Sequence, residues 1–268
     1  LHTKNILKEH QSQAVSFGFE GQNAFVASDV GIHYEEIPSA TGRSTKKKPA
    51  GMHFYSNHSN SRTEVSLFGA LGKPRVYAAL AALAVAEAAG ISQEYAAESL
   101  RTWAPPPGRM RIVPGIKGSL IIDDTYNSSP AAALSALETL KEIKGYKKKI
   151  AILGDMMELG RFSKDAHIEV GRKAEKCATM LITVGLRSHA TAQTALDCGM
   201  PEVSIRQYEQ GESARAGKEL EAELDKTTIV LIKGSQSMRM EKAVEEIMAE
   251  PLLAPDLLVR QDADWKMR

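Results

Sequence analysis

The sequence predicts an α/β protein in which a doubly wound, mostly parallel sheet follows a smaller, partial α/β region. Three observations predict it. From about residue 106 onward, short apolar runs alternate with helical stretches, the order that builds strand–helix–strand units. The runs are apolar without a break, as expected of strands covered on both faces. Pro105-Pro106-Pro107-Gly108 interrupts the chain where no helix can continue, which makes it the best boundary between two domains.

The elements before that boundary are short strands and two helices. Gln13 to Phe19 and Asn23 to Ala27 partly alternate apolar and polar residues and read as strands. Thr41 to Ala50 is polar and basic and reads as a loop. Met52 to Ser56 and Glu64 to Phe68 form a hairpin around the turn residues Asn57 to Ser61. The alanine-rich stretch Tyr77 to Ala89 is a helix stopped by Gly90, and Gln93 to Trp103 is a second one. After the prolines, strands are expected at Ser119 to Asp123, Lys149 to Leu153, Met180 to Val184 and Thr228 to Ile232, with a short one near Val203 to Ile205. Helices are expected at Ala131 to Ile143, Asp165 to Lys176, His189 to Asp197, Glu212 to Leu224 and Met240 to Met248. Residues 1–105 thus read as one domain and 106–250 as another. Pro251 to Arg268 reads as a surface tail, with Trp265 docking back.

Composition narrows the function classes. Of 268 residues, 43% are hydrophobic and 25% charged, which excludes a disordered chain. Lys+Arg 34 against Asp+Glu 33 leaves a net charge of +1, so neither nucleic acid nor an anionic membrane is an expected partner. Cys177 and Cys198 are too few for a disulfide scaffold and read as small buried hydrophobes. No apolar run approaches the roughly 18 residues of a spanning helix, and no signal peptide opens the chain, so a cytoplasmic protein is expected. The chain opens Leu1-His2-Thr3 rather than with Met, which reads as a missing beginning.

In open α/β sheets, ligands bind beyond the carboxyl ends of the strands. The first strand after the prolines ends in Asp123-Asp124-Thr125-Tyr126-Asn127-Ser128-Ser129-Pro130. Neighbouring residues of a strand point to opposite faces, so the two aspartates have different jobs. One can face a crevice and accept hydrogen bonds from hydroxyls such as a ribose, and the other can cap the next helix. The second strand ends in Gly154-Asp155-Met156-Met157-Glu158-Leu159-Gly160. There glycines suit a tight turn, and the carboxylates suit a cation, an amine or simply solvent. The last strand ends in Lys233-Gly234-Ser235-Gln236-Ser237-Met238-Arg239; it suits either an anion at a helix N-terminus or a lysine at the sheet edge beside a capping serine. Arg109, beside Gly108 at the boundary, can clamp a phosphate or carboxylate, or form an ordinary ion pair.

No GxxxxGK(S/T) phosphate loop is present, and Thr41-Gly42-Arg43-Ser44-Thr45 is only a weak echo of one. HExxH, CxxC and GxSxG are also missing, and the histidines show no metal-ligand spacing. His167, on a helix face, is one to watch, although a lone histidine is more often structural.

Four stretches coincide in order and spacing. They are Leu71-Gly72 running into Tyr77 to Ala86, Gly108-Arg109-Met110 followed by Ile121 to Asn127, Ile152 to Gly160, and Lys233 to Glu241. Together they resemble the Mur ligases of peptidoglycan synthesis, and among them the type that adds D-alanyl-D-alanine to a UDP-N-acetylmuramoyl-tripeptide. The resemblance covers most of the chain, best from about Leu71 to Met248. It implies that residues 1–105 are the later part of a central ATPase domain and 106–250 a Rossmann-like C-terminal domain, the first domain and the phosphate loop being missing. It implies ATP and Mg²⁺ as cofactors and an acyl phosphate attacked by the dipeptide amine. It implies nucleotide contacts for Arg109 and Asp124, with Tyr126 and Asn127 beside them, and places Asp155, Glu158, Lys233 and Ser235 on the incoming amino-acid side. No residue is assigned to metal, and a monomer is expected.

On this reading the 268 residues alone do not turn over ATP, and Asp124→Ala or Arg109→Ala lowers activity far more than melting temperature. One departure is clear. The family's histidine and two asparagines before the alanine-rich helix, the asparagines near adenine, align with Pro74, Arg75 and Ala78, so adenine is held differently or less well, with Arg75 either stacking on it or being a plain surface arginine. Three rival readings stand beside this one. A receiver-like signalling domain lacks its acid at the end of the third strand, where Val184-Gly185-Leu186 stands. A dinucleotide oxidoreductase lacks GxGxxG. A catalytically silent, ligase-derived binding module is compatible with the missing phosphate loop.

Overall fold

The structure, a computed structural model, describes residues 14–38 and 45–267. Gln13, Thr41 to Ser44 and Arg268 therefore lie outside the described residues. The chain falls into two compact units. The first takes in the residues up to His33, with Gly51–Phe68 and Lys73–Ala104; the second takes in Tyr34–Ala50, Gly69–Gly72 and Pro105–Arg268. Residues 34–50 and 69–72, which precede the prolines, thus group with the second unit.

The first sheet runs in the order β1 (Phe17–Gly18), β2 (Phe25–Pro38), β3 (Thr45–His58) and β4 (Ser61–Phe68), and the parts of β2 and β3 within residues 34–50 group with the second unit. The expected hairpin is β3 against β4, antiparallel from Gly51↔Phe68 to His58↔Ser61. Gly51 is required there, because a Cβ would lie 1.8 Å from the carbonyl oxygen of Leu67. Met52, Phe54, Val65 and Leu67 are buried on the covered face. Helix α1 (Lys73–Ala88) presents Val76, Ala79, Leu80 and Leu83 at helical spacing, and Gly90 ends it at φ 76°. Helix α2 (Gln93–Arg101) starts at Ser92, whose side chain accepts from the Tyr95 N–H. One expectation fails here. The basic stretch expected to be a loop is strand from Thr45 to Ala50. Strand pairing uses the backbone, so lysines such as exposed Lys47 are tolerated on an open face.

The second unit holds the expected doubly wound sheet. Its strands are β5 (Arg111–Pro114), β6 (Leu120–Asp124), β7 (Lys148–Gly154), β8 (Met180–Val184), β9 (Ile205–Tyr208) and β10 (Thr228–Lys233), in the order β5-β6-β10-β7-β8-β9. All neighbours are parallel except the β5–β6 pair. Strand β5 was not expected, because four residues ending in a proline carry no readable period. The helices are α3 (Pro130–Glu142), α4 (Ser163–Cys177), α5 (His189–Asp197), α6 (Ser213–Leu220) and α7 (Glu241–Ile247). Helices α3, α4 and α5 pack in sequence against one another, and α6 packs on α7.

Alternation along the strands divides the core. Ile121, Ile150, Ile152, Ile182, Val184, Val230 and Ile232 cluster with Leu220, Val244 and Ile247 of α6 and α7. The residues between them, such as Ile122, Leu153 and Leu231, are equally buried and point to the other face. Each such side chain contributes about 1.5–3 kcal/mol when fully buried. Because β10 inserts between β6 and β7, the carboxyl ends of these three strands lie side by side.

The segment after α7 is not a surface tail. It forms α8 (Ala254–Leu257) and α9 (Ala263–Lys266), and it buries Ala254, Leu258 and Arg260. Its mixed composition hid an anchor that is polar as well as apolar. Of the cysteines, Cys177 is buried as expected, but Cys198 is exposed.

Candidate functional site

Three loops meet at the carboxyl ends of β6, β10 and β7. The first begins with the paired aspartates, which have different partners. Asp123 is fully buried and accepts hydrogen bonds from the N–H of Gly108 at 3.0 Å, the Thr125 hydroxyl at 2.6 Å and the Thr125 N–H at 3.2 Å. Burial pushes its carboxyl up to about 6 despite these bonds. Asp124 accepts from the Met110 N–H at 3.1 Å and pairs with Lys233 Nζ at 2.6 Å. Lys233 also donates to the Asn127 carbonyl at 2.8 Å. Neither aspartate caps α3; Ser129 does so through Ala132 N–H.

The aspartates therefore lace the segment 108–110 to the end of β6. Gly108 makes this possible, since at φ 66° its absent Cβ would lie 2.8 Å from the Tyr126 nitrogen. Arg109 is left exposed, its guanidinium 4.0 Å from the centre of the exposed Tyr126 ring.

Lys233 corrects one expectation. Its ammonium is committed to Asp124 and Asn127 rather than free to hold an anion at a helix N-terminus. A single 3-10 turn, Gln236–Met238, follows β10, and α7 starts only at Glu241.

The second loop follows β7. Asp155 is 1% exposed. One of its oxygens accepts from the Ser188 N–H at 2.7 Å, and the other from the Arg187 N–H at 3.2 Å and the Arg187 guanidinium at 3.4 Å. It thus serves the turn that opens α5 and does not face solvent. Gly185, at φ 107°, leaves room for it, as a Cβ there would lie 2.7 Å from the Asp155 carboxyl. His167 is buried and structural. Its Nδ1 lies 2.7 Å from the Ser163 carbonyl, and its Nε2 accepts from the Met156 N–H at 3.1 Å. That pattern assigns the proton to Nδ1. Glu158 is exposed and holds a left-handed backbone at φ 62°, which is strained for a non-glycine residue.

The third loop joins the second directly. Ser235 accepts from the Met157 N–H at 2.8 Å, and its own N–H donates to the Asp155 carbonyl at 3.0 Å.

Between the loops lies a cleft of about 680 Å³ lined by Asn127, Ser128, Ser129, Met157, Glu158, Leu159, Ser235, Gln236, Ser237 and Trp265. Of the residues marked in the sequence, Asn127, Glu158 and Ser235 reach it. Asp124, Asp155 and Lys233 are buried and fix the loops, and Arg109 stacks on Tyr126. Trp265, expected to dock back, lines this cleft from a distant segment, and Met157, inside the marked run Gly154 to Gly160 but given no role there, lines it too. Among the described residues, no group of three or more His, Cys, Asp or Glu could hold a metal ion. The offer of ligands from Asp155 and Glu158 is thus a single exposed carboxylate.

The chain is similar to several known proteins. Residues 108–236 match the family described as Mur ligase, glutamate ligase domain. The UDP-N-acetylmuramoyl-tripeptide--D-alanyl-D-alanine ligase of Bacillus subtilis is 31% identical over 183 residues, which are 68% of this chain and 39% of that protein. The chain thus spans about two fifths of the length of the curated relative it matches. Among solved structures, MurF from Acinetobacter baumannii superposes with a TM-score of 0.70 at 26% identity, covering 90% of this chain and 49% of that one. The MurF ligase from Thermotoga maritima, in complex with ADP, also gives a TM-score of 0.70, at 24% identity over 92% of this chain and 51% of that one. The latter likeness is one of fold.

Proposed function

Because residues 108–236 belong to the Mur ligase family as its glutamate ligase domain, we propose that this chain supplies the C-terminal part of an ATP-dependent ligase that adds D-alanyl-D-alanine to a UDP-N-acetylmuramoyl-tripeptide. One observation carries the reading. Asn127, Glu158 and Ser235, from three separate loops, converge on one cleft at the carboxyl ends of the strands.

The roles follow from what each side chain has free. Glu158 offers an exposed carboxylate to the ammonium of the incoming dipeptide. The Ser235 hydroxyl accepts from Met157 and keeps its proton for a carboxylate or carbonyl of the substrate. Asp155 and Lys233 act at one remove, by holding these loops. Arg109, stacked on Tyr126, is the exposed cation suited to nucleotide phosphates, with Asn127 beside it and Asp124 fixing the loop below. ATP would supply the phosphoryl group that activates the acceptor carboxylate, and Arg109 and Tyr126 fit a nucleotide by charge and stacking. The described residues do not fit a magnesium site, and no step is derived through that ion. No helix among them is long and apolar enough to cross a membrane, which suits a cytoplasmic enzyme.

Titration of the isotope-labelled 268-residue chain with D-alanyl-D-alanine tests the reading. Amide signals of Asn127, Glu158 and Ser235 should shift together, and L-alanyl-L-alanine should move them less. Shifts confined to other residues, or identical responses to both dipeptides, would sink it.

A further inference from the structure

Arg260 carries no sequence signal, yet it joins two of the three cleft loops. It stands between α8 and α9, and its side chain is 4% exposed. One terminal nitrogen, Nη2, donates to the Thr125 carbonyl and to Glu241 Oε2, each at 2.6 Å. The other, Nη1, donates to the Tyr126 carbonyl at 3.2 Å. Glu241 opens α7, directly after the loop that carries Ser235. Its second oxygen accepts from Arg239 Nε at 2.5 Å, and Arg239 Nη1 donates to the Trp265 carbonyl at 3.0 Å. Both arginines hold left-handed backbone, at φ 58° for Arg260 and 52° for Arg239.

Adhesion alone does not explain this arrangement. Ala254 and Leu258 already bury the segment's apolar side. Taking a cation out of water to grip two main-chain carbonyls is costly unless its geometry is used. What the guanidinium adds is direction. A planar fork reaches two carbonyls and a carboxylate from nitrogens fixed apart from one another, whereas the three donors of an ammonium diverge from a single atom.

We propose that Arg260 is a positioning residue for the cleft: it ties the loop after β6 to the start of α7 and so sets where Asn127 stands relative to Ser235. The segment 251–267 is then part of the site, giving it Trp265 as a wall and Arg260 as a brace. The functional half of this statement rests on the dipeptide reading above; the brace does not.

The test uses the 268-residue chain with Arg260→Ala, Arg260→Lys and the control Leu258→Ala. Amide hydrogen exchange at Tyr126 and Ser128 reports the brace, and D-alanyl-D-alanine titration reports the cleft. In Arg260→Ala, those two amides should exchange about tenfold faster while β7 and β8 stay protected. Dipeptide affinity should fall about tenfold, ethylguanidinium should restore part of both, and Arg260→Lys should restore little. Leu258→Ala should lower the melting temperature without singling out these amides. The proposal is overturned if Tyr126 and Ser128 loosen no more in Arg260→Ala than in Leu258→Ala. It is also overturned if the dipeptide binds wild type and Arg260→Ala equally. If the amides loosen but wild type binds no dipeptide, the brace stands and the dipeptide reading falls. Should Arg260→Ala not fold, Arg260→Lys carries the same exchange comparison, since it keeps the charge and loses the fork.

Discussion

The turns after β6 and β7 carry similar acid-rich runs but are held in different ways. After β6, Asp124 is neutralised by a buried lysine, and Asp123 is held by three neutral donors. After β7, Asp155 serves mainly backbone N–H groups, with only a partly exposed arginine beside it, and the next amide is held by a neutral histidine nitrogen. The first turn is thus an electrostatic clasp and the second a hydrogen-bonded one. In both, the conspicuous aspartates build the turn. The residue left for a ligand comes three positions further on, Asn127 in one case and Glu158 in the other.

The largest expected effect separates the two turns. Asp124→Ala strands the Lys233 ammonium in the interior, which costs about 3–5 kcal/mol. Asp155→Ala removes an acceptor from backbone N–H groups and costs about 1–3 kcal/mol. Denaturant titration of both variants checks this, and equal losses would erase the distinction. The ordering also revises the sequence expectation for Asp124, where a loss of activity without much loss of stability is no longer expected.

A smaller effect belongs to the clasp alone. Burial raises the folded-state carboxyl of Asp123 to about 6, from its ordinary value of 3.8. A raised acid contributes stability that is fully present below its unfolded value and is lost as pH rises through the folded one. Going from about pH 4 to about pH 7, Asp123 should therefore withdraw on the order of 2 kcal/mol. Unfolding midpoints of wild type and Asp123→Asn across that range isolate it from the other carboxylates. A difference between the two proteins that is flat with pH would remove the electrostatic character assigned to this turn.

The smallest effect is at the exposed edge. Arg109→Ala should change stability by no more than about 1 kcal/mol, because an exposed cation on a ring is worth little more. On the proposed reading, the same change weakens nucleotide contact much more, which a matched pair of melting and nucleotide-binding measurements resolves.

Much of this was legible in the sequence, for physical reasons. Buried parallel strands must be apolar throughout, so β7, β8 and β10 stood out. Loops after strand ends are where ligands bind, and the sequence sets Asn127 with the nucleotide and Glu158 and Ser235 with the incoming amino acid, whereas the structure places all three on one cleft. Pairing across the sheet was not legible. Lys233 meets Asp124 only because β10 lies next to β6, and strand order leaves no local trace. The Arg260 bond to the Thr125 carbonyl spans 135 positions, and a single arginine in a mixed segment has no period to betray it. Strand β5 was too short to show one, and the lysines of Thr45–Ala50 masked a strand whose pairing is made by backbone alone.

The position of β10 has a consequence for how the chain assembles. The last strand of the sheet to be synthesised is a central one, so β6 and β7 cannot close on their shared neighbour until Lys233 has left the ribosome. Until then each keeps an apolar edge without its partner, a state of non-local pairing that is slow to resolve and prone to association. The same late event that completes the sheet brings the Lys233 ammonium to Asp124 and the Ser235 hydroxyl to Met157.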